Sequence, residues 1–199
     1  MRLTPRPMLV LPLAVAWGIG IPGGTAKGQA PSDKHVRHLL GFVEIGPESQ
    51  ELVALGEKAF PAYERILADP KATALEAGRI FSVLQHVKAD RSRFVEPAVK
   101  WLTAPDGDAR WDAIRLLGKI GSRKDSPPIV ALLWNEDRTV VRAAAETLAA
   151  IGGDRELMAL DIWLKSGSHR TDVDLRRIVR QCRDALEPKV VEEKKRKQS

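Results

Sequence analysis

Apolar residues recur along this chain at i, i+3, i+4 and i+7, the spacing of a helix with one buried face. Ala113, Leu116, Leu117 and Ile120 form one such quartet. Ala144, Thr147, Leu148 and Ile151 repeat it 31 residues later, and Leu175, Ile178, Val179 and Cys182 repeat it after 31 more. Ile80, Val83, Leu84 and Val87 precede the first by 33, and Leu52, Leu55, Gly56 and Ala59 fit loosely. A second set lies between them. Trp101-Leu102, Leu132-Leu133 and Trp163-Leu164 are also 31 apart, with Ile66-Leu67 as the earlier counterpart. Pro97 and Pro128 stand four residues ahead of Trp101 and Leu132, as prolines of a first helical turn, where a missing N–H costs nothing.

Each unit therefore reads as helix A, a turn, helix B and a link. Gly121 and Gly152 end the A helices. Asp106 and Asp137, again 31 apart, stand where they can cap the next helix A. A hairpin of this size cannot bury both apolar faces alone, but stacked copies can. The alanines at 143–145 let neighbouring helices approach closely. Val36, Leu39, Leu40 and Val43 add one quartet, predicting a cap helix at about 33–44 before repeats over 47–165. A closing helix is expected over 172–187, with Arg176, Arg177, Arg180 and Arg183 on its polar face. "PKVVEEKKRKQS" (188–199) begins with a helix breaker and reads as a disordered charged tail.

"DARWDAIRLLGKIGSRKDSPPIVALLWNEDRTVVRAAAETLAAIGGDRELMALDIWL" resembles HEAT repeats, in particular the short HEAT-like type named after phycobilisome lyases. "ELVALGEKAFPAYERILADP" (51–70) is similar to a first repeat of that group, while "DPKATALEAG" (69–78) departs from it. The resemblance implies an all-α fold, a right-handed α-solenoid of stacked HEAT-like hairpins whose B helices line a concave, partner-binding surface. Most members bind proteins; some act on bilins or on DNA bases.

Charge and compartment narrow these possibilities. Arg2 and Arg6 precede the apolar run "MLVLPLAVAWGIGI" (8–21), which is short for a membrane span and leads to small residues around Gln29. Residues 1–30 thus read as a signal peptide, and a secreted or periplasmic domain over 31–187 is expected, without stable membrane insertion after cleavage. The net charge of +6 lies in the ends: residues 31–187 hold 24 bases and 24 acids. A neutral body and a secretory address both argue against nucleic-acid binding. Cys182 is the single cysteine, so packing rather than a disulfide must hold the fold.

No chemistry stands out. His35 and His38 share a helix face, but no third ligand has matching spacing. Cys182 falls on a core register, and Asp106/Asp108 and Glu136/Asp137 lie in links where capping explains them. No catalytic residue, metal or cofactor is expected. Two tryptophans break the pattern. Trp134 aligns with Thr103 and Lys165, and Trp111 with Arg142, so both indoles stand where the repeat expects a polar side chain. With Lys100, Asn135 and Lys165 on the outward side of the B helices, they form the candidate partner-binding set. The favoured reading is a monomeric, non-catalytic scaffold for an unidentified protein partner. A lyase-like or chromophore-handling enzyme is the alternative; it would need a titratable cluster on the B face.

Overall fold

The computed structural model describes residues 30–41, 47–167 and 169–198. The expected signal segment up to Gln29, and Val43 of the cap helix, lie outside the described residues. Among the described residues ten α-helices follow one another: α1 (Asp33–Gly41), α2 (Pro47–Leu55), α3 (Phe60–Ala68), α4 (Ala74–Leu84), α5 (Val95–Trp101), α6 (Gly107–Ile120), α7 (Pro127–Ala131), α8 (Arg138–Ile151), α9 (Asp154–Lys165) and α10 (Val173–Gln198). Short 3-10 turns at Gly56–Ala59, Ser92–Phe94, Arg123–Asp125 and Leu132–Trp134 join several of them. No strand occurs among the described residues.

The A helices α2, α4, α6, α8 and α10 pack each against the next. The B elements are α3, α5, α7 with the 132–134 turn, and α9. This is an all-α helical-repeat solenoid. Its core is one continuous cluster from Val36 to Val190. The quartets supply the A layer: Ile80, Val83, Leu84, Val87, Ala113, Leu116, Leu117, Ala144, Leu148, Leu175 and Val179 are all buried. Phe60 and Tyr63 of the first repeat interlock with Phe94 of the next, with Phe60 and Phe94 edge to face at 5.0 Å. Tight approach between α6 and α8 comes from small residues. A Cβ on Gly118 would lie 3.0 Å from the Thr147 hydroxyl, which itself donates to the Ile114 carbonyl at 3.0 Å.

The caps fall on the repeat. The Asp106 carboxylate accepts from the Ala109 amide and that of Asp137 from the Thr139 amide, each at 2.8 Å. The irregular link before α4 closes in a reciprocal cap between Thr73 and Glu76. Gly121 and Gly152 do end α6 and α8, but in extended rather than left-handed backbone. Glycine is needed there for space: a Cβ on Gly152 would sit 2.3 Å from the Leu148 carbonyl oxygen.

Two expectations change. The loose quartet Leu52–Ala59 is not one helix, because Gly56 turns into the left-handed region (φ 53) and breaks it after Leu55. The tail expected to be disordered over 188–199 is instead the last turns of α10, which runs to Gln198. The apolar stripe Leu175, Val179, Cys182, Leu186 continues to Val190, which is buried. On either side of it, Lys189 donates to the Ala149 carbonyl (2.9 Å), Glu193 pairs with Arg123 (2.6 Å) and Lys194 with Asp154 (2.7 Å). Pro188 faces solvent, where water can satisfy the carbonyl it leaves unpaired. At the other end, α1 is held by ion pairs of Arg37 with Asp69 and Glu76, and of Asp33 with Arg65.

Candidate docking face

The outward side of the B layer follows three registers with a 31-residue step. They read Glu96, Pro127, Met158; Lys100, Ala131, Ile162; and Thr103, Trp134, Lys165. Along the chain the face changes character. On α5 Glu96 and Lys100 are highly exposed and pair with each other at 3.0 Å. In the next two units the same positions are mostly apolar. Trp134 is 45% exposed, Met158 60% and Ile162 53%. The turn carrying Trp134 packs against α9, which carries the other two, so these side chains belong to one strip.

The inner side of the same elements explains why they sit still. Ile129, Leu133, Leu160 and Trp163 are fully buried. Below the strip, buried Glu156 accepts from the Ser126 hydroxyl (2.6 Å) and from the Gly153 amide (2.7 Å), tying the start of α7 to the start of α9. Trp163 stacks on His169, whose Nε2 hydrogen-bonds the Asn135 carbonyl at 2.9 Å. That loop holds His169 at φ 47.

The structure sorts the candidate residues. Trp134 and Lys165 lie on the strip, and Lys100 marks its polar end. Asn135 does not present a side chain for docking: it is half-buried in the link, and its Oδ1 accepts from the Asp137 amide at 2.9 Å. Trp111 belongs to helix A α6, away from the strip. It is half-buried, with the Arg115 guanidinium 4.5 Å from its ring centroid, so its own chain covers it. Met158 and Ile162 are additions. The register arithmetic that singles out Trp134 also places them, against Glu96 and Lys100.

Strongly shifted titratable groups lie elsewhere. Burial pushes the Asp112 carboxyl up to about 7, against the opposing pull of a Gln85 hydrogen bond and the Arg115 charge. Burial also pushes the Cys182 thiol up to about 11, with Glu146 adding to it and Arg142 opposing. Both stand on A helices, Cys182 in a groove of about 310 Å³ between α8 and α10 with Ala149, Ile178 and Ala185. At neutral pH this thiol is almost wholly protonated, and thiolate is the nucleophile. Iodoacetamide should therefore modify Cys182 at least about tenfold more slowly in the folded chain than in urea. Equal rates would show an accessible, activated thiol. Among the described residues no three His, Cys, Asp or Glu side chains gather as metal ligands.

The family model for HEAT repeats matches residues 95–178, from α5 into the first turns of α10. The match covers the whole apolar strip. No characterised protein matches the chain.

Proposed function

We propose that this chain is an exported helical-repeat scaffold of the short HEAT-like kind, which binds another protein through its B face and performs no chemistry of its own. One observation carries the reading: a face that is charged in one repeat becomes apolar in the next two, leaving Trp134, Met158 and Ile162 in water. Contiguous exposed apolar surface rimmed by polar residues marks binding sites, and tryptophan is enriched among binding hot spots. The shifted groups Asp112 and Cys182 owe their shifts to burial between A helices, and among the described residues no titratable cluster converges on the strip.

The test is Trp134→Ala, with binding and stability measured on the same variant. Capture of the partner from the native envelope fraction should weaken by ~2 kcal/mol or more. Stability should fall by no more than about 1–2 kcal/mol, because 45% of the indole is already in water and only the rest packs against its own chain. A large drop in stability with unchanged capture would refute the docking role.

Export rests on the basic start, the 8–21 apolar run and the small residues before Pro31. N-terminal sequencing of the native protein should therefore begin at Pro31. An intact Met1 on a cytoplasmic protein would overturn the address and reopen nucleic-acid binding.

A further inference from the structure

Resting on that reading, we infer that the partner presents an acidic amphipathic segment, with apolar anchors bracketed by carboxylates. The argument lies in where α9 spends its charges. Its exposed stripe is Arg155, Met158, Ile162 and Lys165, at i, i+3, i+7 and i+10, so the four lie along one side of the helix. The acids of the same helix are all engaged elsewhere. Asp154 pairs with Lys194 at 2.7 Å, Glu156 is buried against Ser126 and Gly153, and Asp161 pairs with Arg183 at 3.0 Å. Arg155 and Lys165 have no partner among the described residues.

The docking stripe therefore offers two apolar side chains between two unneutralised cations, with Trp134 beside them. Ten residues of helix put the two cations about 15 Å apart along the axis. About four or five residues of extended chain, or about ten residues of helix, span that distance. The last turns of α10 reach the start of α9 through the pairs Lys194–Asp154 and Glu193–Arg123. Arg196 and Lys197 pair within α10 with Glu192 and Glu193, so the bias of the stripe rests on Arg155 and Lys165. Charge complementarity of this kind chooses partners and raises association rates more than it adds affinity. It selects acidic flanks and rejects basic ones.

The experiment is selection of a random peptide display library on the full chain, followed by binding of the enriched peptides to variants. Enriched peptides should carry Asp or Glu on both sides of an apolar pair. Their affinity should fall at least about tenfold in Arg155→Glu/Lys165→Glu, and fall steeply with added salt. Circular dichroism should show both reversals folded, since neither side chain packs in the core. Peptides that lose binding on Trp134→Ala but carry no acids, and ignore the two reversals, would overturn the acidic-partner inference and leave the docking face standing. Peptides indifferent to Trp134→Ala and to the reversals would overturn both. Binding of the chain to phosphatidylglycerol vesicles that disappears with the same two reversals would overturn the inference in favour of a membrane surface. Self-association that disappears with them would overturn it in favour of a second copy.

Discussion

Leu148→Asp should destabilise the chain by at least ~3 kcal/mol, through lost apolar burial and a carboxylate stranded without a partner. Leu148 is fully buried at the middle of α8, which packs between α6 and α10. Its neighbours on the same face, Ala144, Ala145 and Thr147, are buried too, so the charge has no short route to water. Glu146→Ala, two residues away, is the control. Glu146 is exposed and pairs with Arg142 at 2.8 Å one turn back. Such surface pairs contribute a few tenths of a kcal/mol, so its cost should stay below ~0.5 kcal/mol. Urea unfolding of the two variants compares them directly. Similar midpoints would mean that the register of the stack is misassigned.

The A layer was legible because a buried helix face must repeat at 3.6 residues, and a stacked fold must repeat the repeat. Leu84, Leu117, Leu148 and Val179 stand at matching places in four helices for that reason. The caps Asp106 and Asp137 were legible through the same step. What escaped was set by contacts distant in sequence. Nothing local in "PKVVEEKKRKQS" shows that Glu193 meets Arg123 and Lys194 meets Asp154, and these pairs help extend α10 past Pro188. Covering of Trp111 by Arg115 is a matter of rotamer, which no periodicity reports. Gly56 was counted as a weak member of a quartet, whereas its left-handed backbone marks a break.

The candidate docking face was half legible. Trp134 stood out as a large aromatic in a polar register. Met158 and Ile162 did not, because apolar residues in a helix are assumed to face the core until the buried side is fixed. Once Leu160 and Trp163 are placed inside, the helical period forces Met158 and Ile162 outwards. The engaged acids of α9 could not be read at all, since Asp154, Glu156 and Asp161 look like ordinary surface charges in the sequence. Their partners lie between three and about 40 residues away in the chain.

Asp112 gives the second large effect, and it is a dependence on pH. It shares its register with Arg79, Ala143 and Asp174, and of these Ala143 is buried and Asp174 exposed. In the fold Asp112 is half-buried between α4 and α6. The Gln85 amide donates to one carboxyl oxygen at 3.3 Å, and the other lies against Gly78. Burial, with some help from Asp108, raises its pKa from 3.8 to about 7 despite Gln85 and Arg115. In the unfolded chain it titrates near the ordinary carboxylate value. Between those two values the folded state holds a proton that the unfolded state has released, so raising the pH through this window removes stability. Below it both states are protonated, and above it the full cost is in place. Because the side chain keeps an exposed edge, that cost is about 2 kcal/mol rather than the full linkage value. The carboxylates held low by their partners, among them Asp33, Glu76, Asp137 and Glu193, act in the opposite sense, but at more acidic pH. The wild-type chain should therefore unfold at higher urea at pH 5.5 than at pH 7.5. Asp112→Asn keeps an acceptor for Gln85 and cannot ionise, so most of that difference should vanish and the variant should be the more stable protein at pH 7.5. A wild-type midpoint that rises between pH 5.5 and 7.5, or an Asp112→Asn chain with the same profile as wild type, would show that Asp112 is ionised in the fold at neutral pH without cost.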